Sequence, residues 1–176
     1  MNRRSRSSRT SADPSTRQVM DCFRRLVQEL RVSSREAEKT AGISGAQLFV
    51  LSKLADAGTQ PLSVNELAER TLTHQSSVSV VVSKLVDRGL VERVTAPDDR
   101  RRSELRLTTS GRALMRKAPE VAQDRIVMAL QRMTLAKRKQ LAKLLEQMVT
   151  DMGGDKTAPP MFLEGERTRK ENDGLP

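Results

Sequence analysis

Cysteine, histidine and the large aromatics are almost missing from this chain: its 176 residues include one Cys, one His, three Phe, and no Trp or Tyr. The lone Cys22 cannot form an intrachain disulfide or supply a cysteine-rich zinc site. His74, the only histidine, lies far from Cys22 in sequence, and no phosphate-binding loop is present, so the usual triads and metal clusters have no material. We therefore expect neither an enzyme nor a bound cofactor or metal. The scarcity of aromatics also removes the stacking platforms on which readers of single strands and RNA depend. No apolar run approaches the ~18 residues of a membrane span, and the N-terminus has no signal-peptide core. The expectation is a cytoplasmic protein that does not enter a membrane.

Positive charge is what the chain has in excess, 32 Lys and Arg against 22 Asp and Glu, for a formal net charge of +10. Such an excess favours polyanionic partners, either nucleic acid or an anionic membrane surface. Apolar residues make up 36% of the chain, below the ~45–50% usual for globular domains, and the deficit sits at the two ends. Residues 1–18 and 153–176 are polar, rich in Arg, Ser, Gly and Pro, and without apolar period. Segments of this kind bury too little surface to offset chain entropy, so both are expected to be disordered. The first is a basic arm with Arg3, Arg4, Arg6 and Arg9, which suits either loose tracking of DNA or plain solubilisation. Residues 19–152 can then form one domain with a real core.

Within that stretch, Val19, Phe23, Leu26, Val27 and Leu30 fall on one face of a helix that ends near Gly42. A second helix starts at Ile43-Ser44, carries Leu48, Val50, Leu51, Leu54 and Ala55, and ends at Gly58. Ser63-Val64-Asn65-Glu66 is a capping box that opens a short third helix. After a turn at Thr71-Leu72-Thr73, Val78, Val81, Val82 and Leu85 repeat at three and four residues, and Gly89 ends that helix. Two short helices joined by a tight turn form a helix-turn-helix pattern. The period then changes to that of strands, Leu90–Val94 and Glu104–Thr108, around the turn formers Pro97, Asp98 and Asp99. This is a hairpin with a basic tip. From Thr109 a long helix runs until Pro119 kinks or splits it. A last helix, capped by Thr134, carries Leu135, Leu141, Leu144, Leu145, Met148 and Val149. The fold class is mainly α with a small β-hairpin wing.

Three stretches resemble the MarR family of winged helix-turn-helix regulators: Ile43-Ser44-Gly45-Ala46-Gln47, Ser63–Ala68, and Asp99–Thr108 running on through Thr109-Ser110-Gly111. The last is similar to the family's wing signature and the start of its fifth helix. The resemblance covers residues 19–152, with the DNA-binding lobe at about 43–108 and dimerisation helices at 19–42 and 109–152. It implies a homodimer on a pseudo-palindromic operator in double-stranded DNA, acting as a repressor that a small ligand or oxidant releases.

On this reading the fourth helix meets a major groove through His74, Gln75, Ser76, Ser77, Ser79 and Ser83. Glutamine suits the paired donor and acceptor of adenine, and serine suits a base edge or a phosphate. Lys84 and Arg88 could reach phosphates. A solvated helix face is the alternative for each of these residues. Arg101 takes the place of the family's minor-groove arginine, where a narrow groove deepens the negative potential. Asp99 braces that arginine, and Arg100 and Arg102 contact phosphates; a solvated basic loop is the alternative. Cys22 stands near the start of the first helix, as in the family's peroxide-sensing branch, although that branch pairs its cysteine with tyrosines absent here. A redox sensor and a buried or interfacial free cysteine both remain open. So does a nonspecific architectural DNA binder, which would account for the charge but not for the wing.

Overall fold

Hydroxyl caps set most of the helix starts. The computed structural model describes residues 13–95, 103–154, 157–162 and 164. Helix α1 spans Pro14–Ala41, α2 Gly45–Asp56, α3 Val64–Thr71 and α4 Gln75–Asp87; α5 spans Thr109–Met115, α6 Ala122–Gln131 and α7 Leu135–Asp151. Ser44, Ser63, Thr108 and Thr134 each accept a bond from the third backbone amide of α2, α3, α5 and α7. The Ser44 and Ser63 amides donate in return to the Gln47 and Glu66 side chains, completing capping boxes that each satisfy two otherwise orphaned donors. Pro119 falls in the break between α5 and α6, so the long helix is split rather than kinked.

Three short strands accompany the helices: β1 at Leu62–Ser63, β2 at Val91–Thr95 and β3 at Ser103–Leu107, in the spatial order β1-β3-β2. The β2–β3 hairpin pairs Val91 with Leu107 and Thr95 with Ser103. Strand β1, absent from the sequence reading, pairs Leu62 with Leu105 and closes the other edge of β3. Leu105 and Val91 turn inward, whereas Arg106 and Glu92 form an exposed ion pair at 2.8 Å.

The core gathers around α2. Leu48, Val50 and Leu51 are fully buried, and Phe49 and Leu54 nearly so. Against them lie Val78, Val81, Val82 and Leu85 of α4, Leu67 of α3 and Leu105 of β3. Each such side chain contributes about 1.5–3 kcal/mol relative to exposure. Polar side chains attach the outer helices. Ser33 Oγ accepts from the Ala122 amide at 3.1 Å and donates to the Glu120 carbonyl, fastening the start of α6 to α1. Ser34 Oγ accepts from the Gly45 amide at 3.1 Å. Lys53 of α2 pairs with Asp124 of α6, whose other oxygen accepts from Ser52.

The chain ends depart from expectation. Helix α1 begins at Pro14, so residues 14–18 of the expected arm are helical; proline at the first helical position costs no hydrogen bond. In the expected disordered tail, Thr157–Phe162 and Glu164 are described, and Met161 is 5% exposed within the core cluster. The apolar stripe of α1 is mostly uncovered: Val19, Leu26 and Val27 are exposed and Leu30 is buried. In α7 no residue is buried.

The junction of hairpin and α5 rests on a close approach. Thr108 donates through its amide to the Leu90 carbonyl and through its hydroxyl to the Gly89 carbonyl, at 3.1 and 2.7 Å. A Cβ at Gly111 would stand 2.1 Å from that Leu90 oxygen. Gly111→Ala is therefore expected to lower stability by roughly 1–3 kcal/mol, the usual cost of overpacking against a fixed backbone. Urea unfolding followed by circular dichroism checks this, and an unchanged midpoint would contradict the packing described.

Candidate nucleic-acid interface

Helix α4 has two unlike faces. Its inner stripe, Val78, Val81, Val82 and Leu85, is completely buried, which fixes the helix's rotation about its own axis. Gln75, Ser76 and Ser83 stand on the outside, with Ser79 half-buried beside them. Ser83 Oγ donates to the Ser79 carbonyl one turn back, at 3.0 Å. His74 is the exposed N-cap and caps through its backbone alone. The outer face is thus made of small side chains, polar but for one valine, and free of bulky groups.

Val80, which the sequence reading passed over, is 51% exposed on this same face, one turn from Ser76. The signal was present, since Val80 lies off the 78–81–82–85 stripe and so could not share its burial. In the preceding turn, Leu72 has φ 52° and is 67% exposed. This left-handed conformation lets the chain enter α4 directly after α3, its amide bonding the Glu69 carbonyl at 3.1 Å.

Two expected contact residues are already engaged. Ser77 Oγ donates to the Pro159 carbonyl at 2.9 Å, and Lys84 Nζ pairs with Glu164 Oε1 at 2.6 Å. Arg88 donates to the Gly42 carbonyl at 2.8 Å, which ties the end of α4 to the end of α1. The hairpin follows α4 through Gly89, at φ 64°, and β2 packs on α4. Asp99, Arg100, Arg101 and Arg102 belong to the stretch that joins Thr95 to Ser103 and lie outside the described residues. Cys22 is exposed on α1, away from these elements in sequence, and its neighbour Arg24 pairs with Asp21 at 2.6 Å. Among the described residues no helix is long and apolar enough to cross a membrane.

A helix-turn-helix followed by a two-stranded wing is the architecture of winged helix-turn-helix proteins. Residues 41–102 match the model of the MarR family. The likeness to that family lies in this lobe, about a third of the chain.

Among curated proteins it is 33% identical over 101 residues to the HTH-type transcriptional repressor MdtR of Bacillus subtilis (strain 168), covering 57% of this chain and 64% of that protein. It is 29% identical over 89 residues to the HTH-type transcriptional regulator YhjH of the same organism, covering 51% of this chain and 50% of that protein. The chain thus spans less than two-thirds of the length of these relatives. Among solved structures it resembles a MarR family regulator from Streptomyces coelicolor in complex with DNA, with TM-score 0.56 and 22% identity, covering 84% of this chain and 97% of that one. A MarR variant from E.coli complexed with operator DNA gives TM-score 0.52 and 22% identity, covering 75% of this chain and 94% of that one. At these identities the likeness is one of fold.

Proposed function

We propose that this protein is a sequence-specific, double-stranded-DNA-binding transcriptional regulator. The observation that carries this reading is α4: a fully buried valine–leucine stripe holds its opposite face, Gln75, Ser76, Val80 and Ser83 with the half-buried Ser79 among them, out to solvent beside the hairpin. A major groove about 12 Å wide admits one helix of this kind. Gln75 suits adenine, the serines suit base edges or phosphates, and Val80 suits the methyl group of thymine. The wing stretch with Arg100, Arg101 and Arg102 would serve the adjoining minor groove, with Asp99 bracing Arg101. The MarR-type lobe and the repressor among its relatives support control of transcription, and repression as its sense. Nothing in this arrangement calls for catalysis, and such a regulator would work in the cytoplasm.

The working unit on this reading is a homodimer. Val19, Met20, Leu26 and Val27 on α1, with Leu144, Leu145 and Val149 on α7, are 38–57% exposed. Exposed apolar stripes on the helices at both ends of the domain are surfaces that a second copy would cover. A dimer would set two α4 helices into successive major grooves, about 34–36 Å apart. A small ligand would release such a dimer from DNA by binding better to a conformer with a different spacing.

Fluorescence anisotropy with a labelled duplex from the protein's own promoter region, against a scrambled duplex, tests the central claim. The promoter duplex is expected to bind about a thousandfold more tightly, with affinity falling steeply as salt rises. Equal affinities would favour an architectural binder. Arg101→Ala is expected to weaken binding without changing the melting temperature, and full affinity in the folded variant would remove the wing from the interface. Substituting uracil for thymine in the promoter duplex should weaken the wild type and leave Val80→Ala indifferent; equal losses in both would show that Val80 reads no methyl. Light scattering at micromolar protein should give a dimer mass that falls to the monomer value in a Leu145→Asp, Val149→Asp variant. A monomeric wild type would overturn the dimer.

A further inference from the structure

We propose that Thr157–Phe162 and Glu164 form an autoinhibitory strap, docked along the flank of α4 that the phosphate wall of a DNA groove would otherwise meet. The proposal rests on the reading of α4 as the DNA-reading helix. Three contacts fix the strap. The Pro159 carbonyl accepts from Ser77 at 2.9 Å, Met161 is 5% exposed within the core cluster, and Glu164 pairs with Lys84 at 2.6 Å. Ser77 and Lys84 are seven residues apart, two turns along one side of the helix. Pro159 lies by the first and Glu164 by the second, so the strap runs parallel to α4 over both turns.

The exit from α7 is shaped to send the chain back. Gly153 has φ 73°, and the Gly154 amide donates to the Val149 carbonyl at 2.9 Å, the pattern of a glycine-terminated helix. A Cβ on Gly154 would stand 2.9 Å from the Val149 carbonyl oxygen, so a residue with one would have to shift the turn. Pro159-Pro160 restricts the backbone before docking and so reduces the entropy lost on it.

The occlusion follows from size and charge. An α-helix with its side chains is about 10–12 Å across and the major groove is about 12 Å wide, so a helix with a second chain along its flank does not fit. Glu164 places a carboxylate on the ammonium group that would meet a phosphate, and brings a negative charge towards the DNA backbone. The docked state is also one that can be left. Glu164 Oε2 is buried with no hydrogen-bond partner among the described residues, a cost that undocking relieves. Phe162, beside the buried Met161, is 61% exposed. The strap therefore competes with DNA for α4 and lowers apparent affinity by the fraction of time it is docked.

The test uses the full chain and the salt titration described above, with Met161→Asp and Glu164→Gln beside the wild type, each checked for folding by its melting curve. Met161→Asp removes the anchor while adding a negative charge, so tighter DNA binding by this variant runs against simple Coulomb repulsion. If the strap is docked roughly nine-tenths of the time, Met161→Asp should bind about tenfold more tightly, and Glu164→Gln should shift the same way by less. Affinity unchanged or weakened in the folded variants, with the wild type binding DNA, overturns the strap and leaves the DNA reading standing. Should no duplex be bound by any of the three proteins, the DNA reading fails and the strap fails with it. If Met161→Asp does not fold, Glu164→Gln alone decides, by the same criterion.

Discussion

The burial of α2 on every side organises the rest of the molecule. Nine of its twelve residues are buried, including the polar Gln47 and Ser52, whereas a surface helix buries a single stripe. A helix so short cannot hold itself together in water and depends on what surrounds it. Helices α1, α3, α4, α5 and α6 and strand β3 all lie against α2. Their buried faces are consequently fixed relative to one another. The rotation of α4, which decides which of its residues meet solvent, is a consequence of Val78, Val81, Val82 and Leu85 packing into this shared core.

Polar groups then join the lobe to the outer helices without loosening it. Ser33 and Ser34 of α1 are buried, and each binds a backbone amide at the start of a neighbouring helix, α6 and α2 respectively. Buried hydroxyls used in this way satisfy donors that a helix N-terminus leaves open. Gly45, whose Cβ would lie 3.2 Å from that of Ser34, lets α1 and α2 approach closely at this point. The exposed stripes of α1 and α7 lie outside this network, and a partner subunit would settle their position.

Charge is distributed in keeping with a polyanion partner. The surplus of ten positive charges does not crowd the outer face of α4, where serines, a glutamine and a valine leave room for direct contact. Lys84 stands at the flank, held by a carboxylate from the chain's own C-terminal segment. On the proposed reading, the small residues would meet base edges and the flanking cations phosphates. A segment that occupies the flank acts on affinity first.

Much of this was legible in the residues. The stripe in α4, the capping box at Ser63, the glycines after α2 and α4, the break at Pro119 and the alternation of β3 are local, each set by neighbours within about four residues. Those features suffice to place the helix-turn-helix and the strands of the hairpin. Folding decided what has no local period: the pairing of Leu62 with Leu105 that makes β1 a strand, the approach of Gly111 to the Leu90 carbonyl, and the return of Met161 to the core. It also showed that Ser77 and Lys84 face the chain's own end. Contacts between residues eighty positions apart leave no mark on the pattern around either one, because only the shared core brings them together.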